Sequence, residues 1–360
     1  MASPRKPGRP AKPTQAEDLL EALAFVDVAT ANNFPSSEYV HLSGKMAIGF
    51  NGQVSAGFPI VEELNVCPHL DKFKAALNRC GKSLVIGETP NGQISVKGDN
   101  LRALVPCMPA SELHRMEPDA KLYPATDILK EAFKICATLA SEAASRVVEA
   151  SLLIDGPSIT GTNGAAMLQY WLGFTMPPNV VIPKLFALAV AKQSKTIVGF
   201  GCDFDPAIQK ARSLTVWFEN GAWIKTACYA DNWPSLSPIL DVPSYPVPVN
   251  GQLFEAIEAV SHFNDAGTVV FVDGQVWSHD TDATGAQFPV VGLQGGKKFN
   301  GKLVKLIAPY VANIDLTTYS NKAFFTGGNE LNPIRGAIMG FDLPETTRQL
   351  PNYSEPEDAE

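Results

Sequence analysis

Lys72, Lys74, Arg79 and Lys82 crowd into the stretch LDKFKAALNRCGK, where Asp71 is the one acid. Lys184, Lys192 and Lys195 recur in PKLFALAVAKQSK. Lys298, Lys302 and Lys305 lie in and just before NGKLVKLIAPYVAN, and neither of these two stretches holds an acid. Lys130 and Lys134 stand four residues apart in TDILKEAFKICATLA, offset by Asp127 and Glu131. Ammonium and guanidinium groups spaced along helix faces contact phosphate oxygens without reading base edges. The chemistry they imply is sequence-independent, salt-sensitive binding to a nucleic acid. Two related stretches are acidic instead. One carries Glu17, Asp18, Glu21 and Asp27, and the other Glu255, Glu258 and Asp265.

Other chemistry is hard to build from this sequence. The histidines His41, His69, His114, His262 and His279 have no metal-ligand spacing. SHDTDATG (278–285) starts like a calcium loop, with Asp280, Asp282 and Gly285. Val291 stands where the closing Glu belongs, so the segment reads as a hairpin connection. GLQGGKK (292–298) lacks the spacing and the Ser or Thr of a phosphate-binding loop. GFGCDF (199–204) is no dinucleotide fingerprint, and no Gly-x-Ser-x-Gly occurs. No nucleophile–base pair stands out, so neither catalysis nor a metal or other cofactor is expected.

The cations fall on a repeated element. A helix-like amphipathic stretch starts at Ala16, Leu70, Thr126, Pro183, Asn250 and Asn300. Apolar residues recur at helical spacing, as in Phe73, Ala76, Leu77 and Cys80, or Leu129, Ala132, Phe133 and Cys136. Asp71 and Asp127 suit helix starts, Pro183 suits a first turn, and Pro309 must shorten the last copy. Between these stretches lie Asn-Gly or Asp-Gly pairs at 51–52, 91–92, 155–156, 219–221 and 273–274, each flanked by alternating apolar residues. That pattern predicts β-hairpins with type I′ turns. The fold class is therefore α+β: helix-plus-antiparallel-hairpin units, taken in pairs as three similar domains. Proline-rich segments at 116–124 and 234–249 read as linkers. An array of this kind can close into a ring and so remove its open sheet edges.

The formal net charge of −8 argues against a coat of non-specific nucleic-acid contacts, but not against positive charge gathered on one surface. Cys67, Cys80, Cys107, Cys136, Cys202 and Cys228 are scattered and read as reduced core thiols of a cytoplasmic protein. No apolar run is long enough to span a membrane, and no secretory signal is evident. Residues 3–13, SPRKPGRPAKP, form a basic tail. Gly8-Arg9-Pro10 is half of an AT-hook core, but Pro7 stands where its first Arg belongs. Arg5, Lys6 and Arg9 then read as accessory phosphate contacts rather than sequence readers.

Several stretches resemble the bacterial beta sliding clamp, the processivity subunit of DNA polymerase III. They are CPHLDKFKAALNRCGKSLVIGETPNGQISVKGDNLRALVPCMP, VVEASLLIDGPSITGTNGAAML, NVVIPKLFALAVAK, ENGAWIKTACYADNWP and IRGAIMGFDL. The resemblance spans residues 15 to 341 and is one of pattern more than identity. It implies a non-catalytic homodimeric ring, head to tail, with helices facing double-stranded DNA and sheets outside. It implies clamp domains at 15–122, 123–241 and 242–342, flanked by a basic tail (1–14) and an acidic one (343–360). A virus-encoded clamp would suit the divergence.

The resemblance also implies a groove that takes a short apolar peptide from DNA polymerase or clamp loader. Thr162, Gly164, Ala165, Ala166 and Met167 would line it, with Arg146 and Val148 on a neighbouring strand. Pro238 would come from the linker, and Met339 and Phe341 from the last segment. Asn163, Ala165, Ala166 and Gly340 depart from the family pattern, which implies a shallower, less polar groove. The dimer contact would pair the edge strand from Leu101 to Val105, through Leu101 and Leu104, with the region of His262 and Phe263. The rival reading is a self-assembling capsid or tail component built of the same repeats. In that protein the basic helices would meet acidic neighbours.

Overall fold

The computed structural model describes residues 15–30, 36–81, 83–120, 123–264, 267–279 and 285–341. Arg5, Lys6, Arg9, Lys82, Asp265, Asp280 and Asp282 lie outside the described residues, as do both terminal tails. In chain order the helices are α1 (Gln15–Val26), α2 (Leu70–Leu77), α3 (Ile128–Ala137), α4 (Val147–Ala150), α5 (Lys184–Ala191), α6 (Ser237–Leu240), α7 (Gln252–Ser261) and α8 (Gly301–Ile307). α4 and α6 are single turns. The other six stand on the six repeated stretches.

Each of these six helices buries one stripe. In α1 it is Leu19, Ala22, Leu23 and Val26; in α2, Phe73, Ala76 and Leu77; in α3, Leu129, Ala132, Phe133 and Cys136. In α5 it is Phe186, Ala187, Ala189 and Val190; in α7, Leu253, Ala256, Ile257 and Val260; in α8, Val304 and Ile307. Helices this short are marginal alone in water, so burial of the stripe stabilises them. A fully buried Phe such as Phe73 or Phe133 contributes roughly 2–3 kcal/mol. Asn300 caps α8, its side chain accepting the N–H groups of Lys302 and Leu303. Pro309 follows as expected: α8 stops at Ile307 and a 3₁₀ turn takes over.

The five Asn-Gly or Asp-Gly pairs expected to turn hairpins, at 51–52, 91–92, 155–156, 220–221 and 273–274, all do so. The expected type I′ geometry holds only at Asn220-Gly221, where both residues have positive φ (65° and 84°). Elsewhere only the glycine does. Asn51 Oδ1 accepts the N–H of Gln53 and Val54.

The chain forms two compact units. One comprises residues 1–130 and 185–229. It holds an antiparallel eight-stranded sheet in the order Ile197–Asp205, Lys210–Phe218, Trp223–Ala227, Val54–Pro59, Met46–Phe50, His41–Ser43, Asn65–Pro68 and Cys107–Met108. A smaller sheet orders Val85–Glu88, Ile94–Lys97 and Arg102–Val105. The other unit comprises residues 131–184 and 230–360. Its eight-stranded sheet runs Val180–Pro183, Ser151–Asp155, Ser158–Thr162, Ala166–Trp171, Pro333–Met339, Lys322–Gly328, Asn313–Asp315 and Val247–Pro248. A four-stranded sheet orders Gln287–Pro289, Gln275–Trp277, Thr268–Val272 and Lys297–Asn300. The register places Ile224 opposite Ala56 in the first unit and Leu168 opposite Gly336 in the second. Both pairings join segments that the sequence reading assigns to different domains. The strands Gln275–Trp277 and Gln287–Pro289, on either side of the expected hairpin connection, pair antiparallel.

The proline-rich segments are not free linkers. Asp119 is ion-paired with Lys225 at 2.8 Å, both side chains being largely buried, and it accepts the hydroxyls of Ser213 and Thr215. In the later segment, α6 and the strand Val247–Pro248 are ordered, and the Tyr245 N–H donates to Asp315 at 2.8 Å. All six cysteines are free, and Cys67, Cys80, Cys136 and Cys202 are buried. Burial pushes the Cys67 and Cys202 thiols up to about 12.

Burial alone would raise the Asp315 pKa. Donors from the Thr318 hydroxyl and the backbone N–H of Tyr245, Thr317 and Thr318 outweigh it and hold the carboxyl well below its usual range. A depressed carboxyl stabilises the fold above its unfolded pKa of about 4, and that stability is lost as pH falls through the folded value. Asp315→Asn is expected to lower stability at pH 7 by about 1–3 kcal/mol. It is also expected to flatten the loss of stability below about pH 4, as read by urea unfolding across a pH series.

Candidate nucleic-acid interface and peptide groove

With one stripe of each helix turned to the core, its charges are left for the other faces. Lys72, Arg79, Lys134, Lys192 and Lys302 are exposed and have no ion partner among the described residues. Most of the remaining expected phosphate-binding cations among the described residues are engaged. Lys74 pairs with Asp27 at 3.0 Å, Lys305 with Glu258 at 2.5 Å, and Lys195 with Glu21. The acidic stretches thus supply counter-ions: Asp27 just after α1 faces α2, and Glu258 on α7 faces α8. Lys184 donates to the Ala140 carbonyl at 2.7 Å.

Lys130 corrects the sequence expectation most clearly. Its ammonium donates to Asp127 and to the Lys195 carbonyl and lies 5.9 Å from the Phe218 ring centroid, with 15% of the side chain exposed. It is a packing residue, and the predicted Lys130–Lys134 face reduces to Lys134. Lys298 is half-buried on the strand Lys297–Asn300. The partly exposed pairs are weak, each worth at most about 1 kcal/mol, so a phosphate can compete for Lys74, Lys195 and Lys305.

The expected groove residues do come together. Thr162 and Asn163 build a tight turn. The Thr162 hydroxyl donates to the Ala166 carbonyl, and Asn163 Oδ1 accepts from the Ala165 and Ala166 N–H groups. Thr162 and Met167 are buried, so they floor the site rather than open into it. Ala166 was expected to line the groove, but it stands opposite Ile338 and so faces the other side of the sheet. Met167, Ala337 and Phe324 lie in one cross-strand row. Leu240 of α6 completes this cluster, with Leu236, Ile239, Val242 and Tyr319 packed against it half-buried. In the next row the Met339 N–H donates to the Ala165 carbonyl, and Met339 stands opposite Lys322. Met339 and Phe341 are exposed by 46% and 48%.

Arg146 and Val148 were expected on a strand. Val148 instead lies in the turn α4, with Arg146 as its N-cap, and the Arg146–Glu149 pair packs over Gly164. Pro238 is exposed in the first turn of α6, which Arg335 ties to the sheet. Arg335 donates to Asp241 and to Gln169, both at 2.7 Å. Sequence reading missed α6 because prolines at 234, 238, 243, 246 and 248 read as a linker; Ser237-Pro238 is the helix-start signal that was there.

At the expected dimer contact, Arg102–Val105 is an edge strand beginning one residue after Leu101, and Leu104 is 58% exposed. His262 and Phe263 follow α7, with Phe263 65% exposed. Among the described residues no cluster of His, Cys, Asp or Glu is placed to hold a metal. No helix there is long and apolar enough to cross a membrane.

Solved structures carry the same architecture. A DNA polymerase sliding clamp from Pseudomonas aeruginosa superposes with a TM-score of 0.75 at 15% identity, over 91% of this chain and 98% of that one. The chain has the sliding-clamp fold. The beta subunit of DNA polymerase from Streptococcus pyogenes gives 0.73 at 16% identity, over 91% and 99%. The Helicobacter pylori beta clamp bound to a DNA ligase peptide gives 0.71 at 14%, over 92% and 99%. No protein-family model and no curated protein matches the sequence.

On this clamp fold the five unpaired cations are expected to carry the salt response. Lys72, Arg79, Lys134, Lys192 and Lys302 to Ala, taken singly, should each lower the slope of log affinity for duplex DNA against log salt by about one. Lys130→Ala and Lys184→Ala should leave that slope unchanged while lowering the melting temperature. Fluorescence anisotropy over a salt series reads the first, and thermal unfolding the second.

Proposed function

We propose that the chain is a DNA sliding clamp: a non-catalytic processivity factor whose two copies close head to tail around duplex DNA. The observation that carries this reading is the clamp fold over nine-tenths of the chain. The unpaired cations on the helix faces support it. In this reading the three domains are 15–122, 123–241 and 242–342. Trapping is topological. DNA is threaded rather than gripped, so weak, sequence-independent phosphate contacts suffice and permit sliding. A bound polymerase is then held at high local concentration near its primer.

The groove around Met167, Leu240 and Met339 would accept a short apolar peptide of the polymerase or clamp loader. The clamp that holds a DNA ligase peptide supports this use of the fold. The open edge at Arg102–Val105, with Leu104, would meet Phe263 and His262 of a second copy. A heterologous contact of this type closes a ring when the rotation allows.

One observation favours the structural-protein reading: Lys74, Lys195 and Lys305 meet acids instead of facing solvent unpaired. Mass and shape in solution separate the two. The clamp reading expects a particle of two chains with a central hole in negative-stain images, retained on nicked circular DNA and lost when the circle is cut. A monomer, an open filament, or equal loss from circular and linear DNA would overturn it.

A further inference from the structure

The described chain ends at Phe341, beside the groove. Phe341 is tied back by its N–H to the Lys298 carbonyl at 2.7 Å, and its side chain is half exposed. Two residues earlier, Met339 shares a cross-strand row with Ala165 and Lys322 that no element covers in the way α6 covers the row of Met167, Ala337 and Phe324. Residues 342–360 follow from that point. They carry six carboxylates, one arginine and a single apolar cluster, Leu350-Pro351-Asn352-Tyr353. Lys322 has no carboxylate partner among the described residues; its ammonium lies 4.5 Å from the Tyr319 ring centroid.

We propose that the segment 342–360 docks Leu350 and Tyr353 on the apolar surface beside Met339, with its carboxylates toward Lys322, and so competes with any partner peptide for the groove. The inference rests on reading this groove as the peptide site. Leu350 is nine residues from Phe341, a reach of up to roughly 30 Å, and Met339 is only two residues from Phe341 on the other side. Three features favour this occupant over a free partner. It begins at the groove's edge. Its Leu350–Tyr353 cluster is followed at once by Glu355, Glu357 and Asp358, which matches an apolar surface flanked by a cation. Its tether gives it a local concentration on the order of 1 mM without any affinity of its own. An occupant that binds at about 0.1 mM in free form would then raise the apparent Kd of a competing peptide about tenfold. The segment acts as a threshold: weak peptides are excluded and strong ones displace it.

The test uses the full chain and a fluorescein-labelled peptide of residues 346–356 as probe. Leu350→Asp/Tyr353→Asp in the full chain is expected to bind the probe about tenfold more tightly than the unsubstituted chain. Adding Met339→Asp to that double variant is expected to abolish the gain. Adding Lys322→Ala is expected to weaken probe binding without affecting the sheet, since Lys322 has no ion pair to lose. Failure of the probe to bind the double variant, or equal binding to both chains, overturns the proposal. A ratio that rises with protein concentration means the segment occupies a neighbouring copy, which overturns docking within the chain. No DNA or polymerase enters the measurement. A chain that passes here but fails to remain on circular DNA would sink the clamp reading and leave the docking intact.

Discussion

Everything in this structure depends on short helices that cannot hold themselves. The two-turn helix α2 gains little from its own hydrogen bonds, because nucleation costs nearly as much as propagation over that length returns. What fixes it is one stripe, Phe73, Ala76 and Leu77, pressed into the core. The same holds for α3 and α5. The close fit shows where helix ends meet strands. A Cβ on Gly161 would sit 2.1 Å from the Cys136 carbonyl, and one on Gly98 would sit 2.2 Å from the Cys80 carbonyl. Glycine at these strand positions lets the backbone following α2 and the last turn of α3 lie directly on the sheet.

That constraint distributes the charge. A helix with one apolar stripe has its remaining faces for polar residues, and neighbouring helices bring those faces together. Four bases on the α2 stretch would repel one another if nothing offset them. Asp27 beside Lys74, and Glu258 beside Lys305, remove part of that repulsion at the seams. The acidic helices α1 and α7 are therefore partners of the basic ones rather than exceptions to them. Because these pairs are exposed, they stabilise the fold little and can be exchanged for phosphate pairs at small cost. Lys72, Arg79, Lys134, Lys192 and Lys302 stay without an ion partner among the described residues.

The repeat was legible in the sequence because period and turn chemistry act locally. Phe73 and Leu77, or Phe133 and Cys136, announce a buried stripe whatever lies across from it. Asn91-Gly92 announces a hairpin whatever its strands pair with. What was not legible depends on pairs far apart in the chain. Asp119 is one acid in a proline-rich run until Lys225, Ser213 and Thr215 fold around it. Lys130 looks like a surface lysine until Asp127 and the Lys195 carbonyl enclose it. α6 reads as linker because its support, the Arg335–Asp241 pair and the seat of Leu240, comes from elsewhere in the chain.

The same distinction explains how a fold survives at 15% identity while a site drifts. The stripe accepts any apolar side chain of suitable volume, so helices and hairpins persist through wide substitution. A groove read by a peptide would have less freedom, since its surface groups set which side chains fit. Here Asn163 spends its carboxamide oxygen on the turn, and Ala165 offers only a methyl group beside Met339. The contacts left to discriminate among occupants are apolar area and the Lys322 charge. Apolar area is undemanding about sequence, so such a groove would bind many short apolar segments weakly. Selectivity at such a groove would then come from concentration and tethering, the two terms on which the docking proposed for residues 342–360 rests.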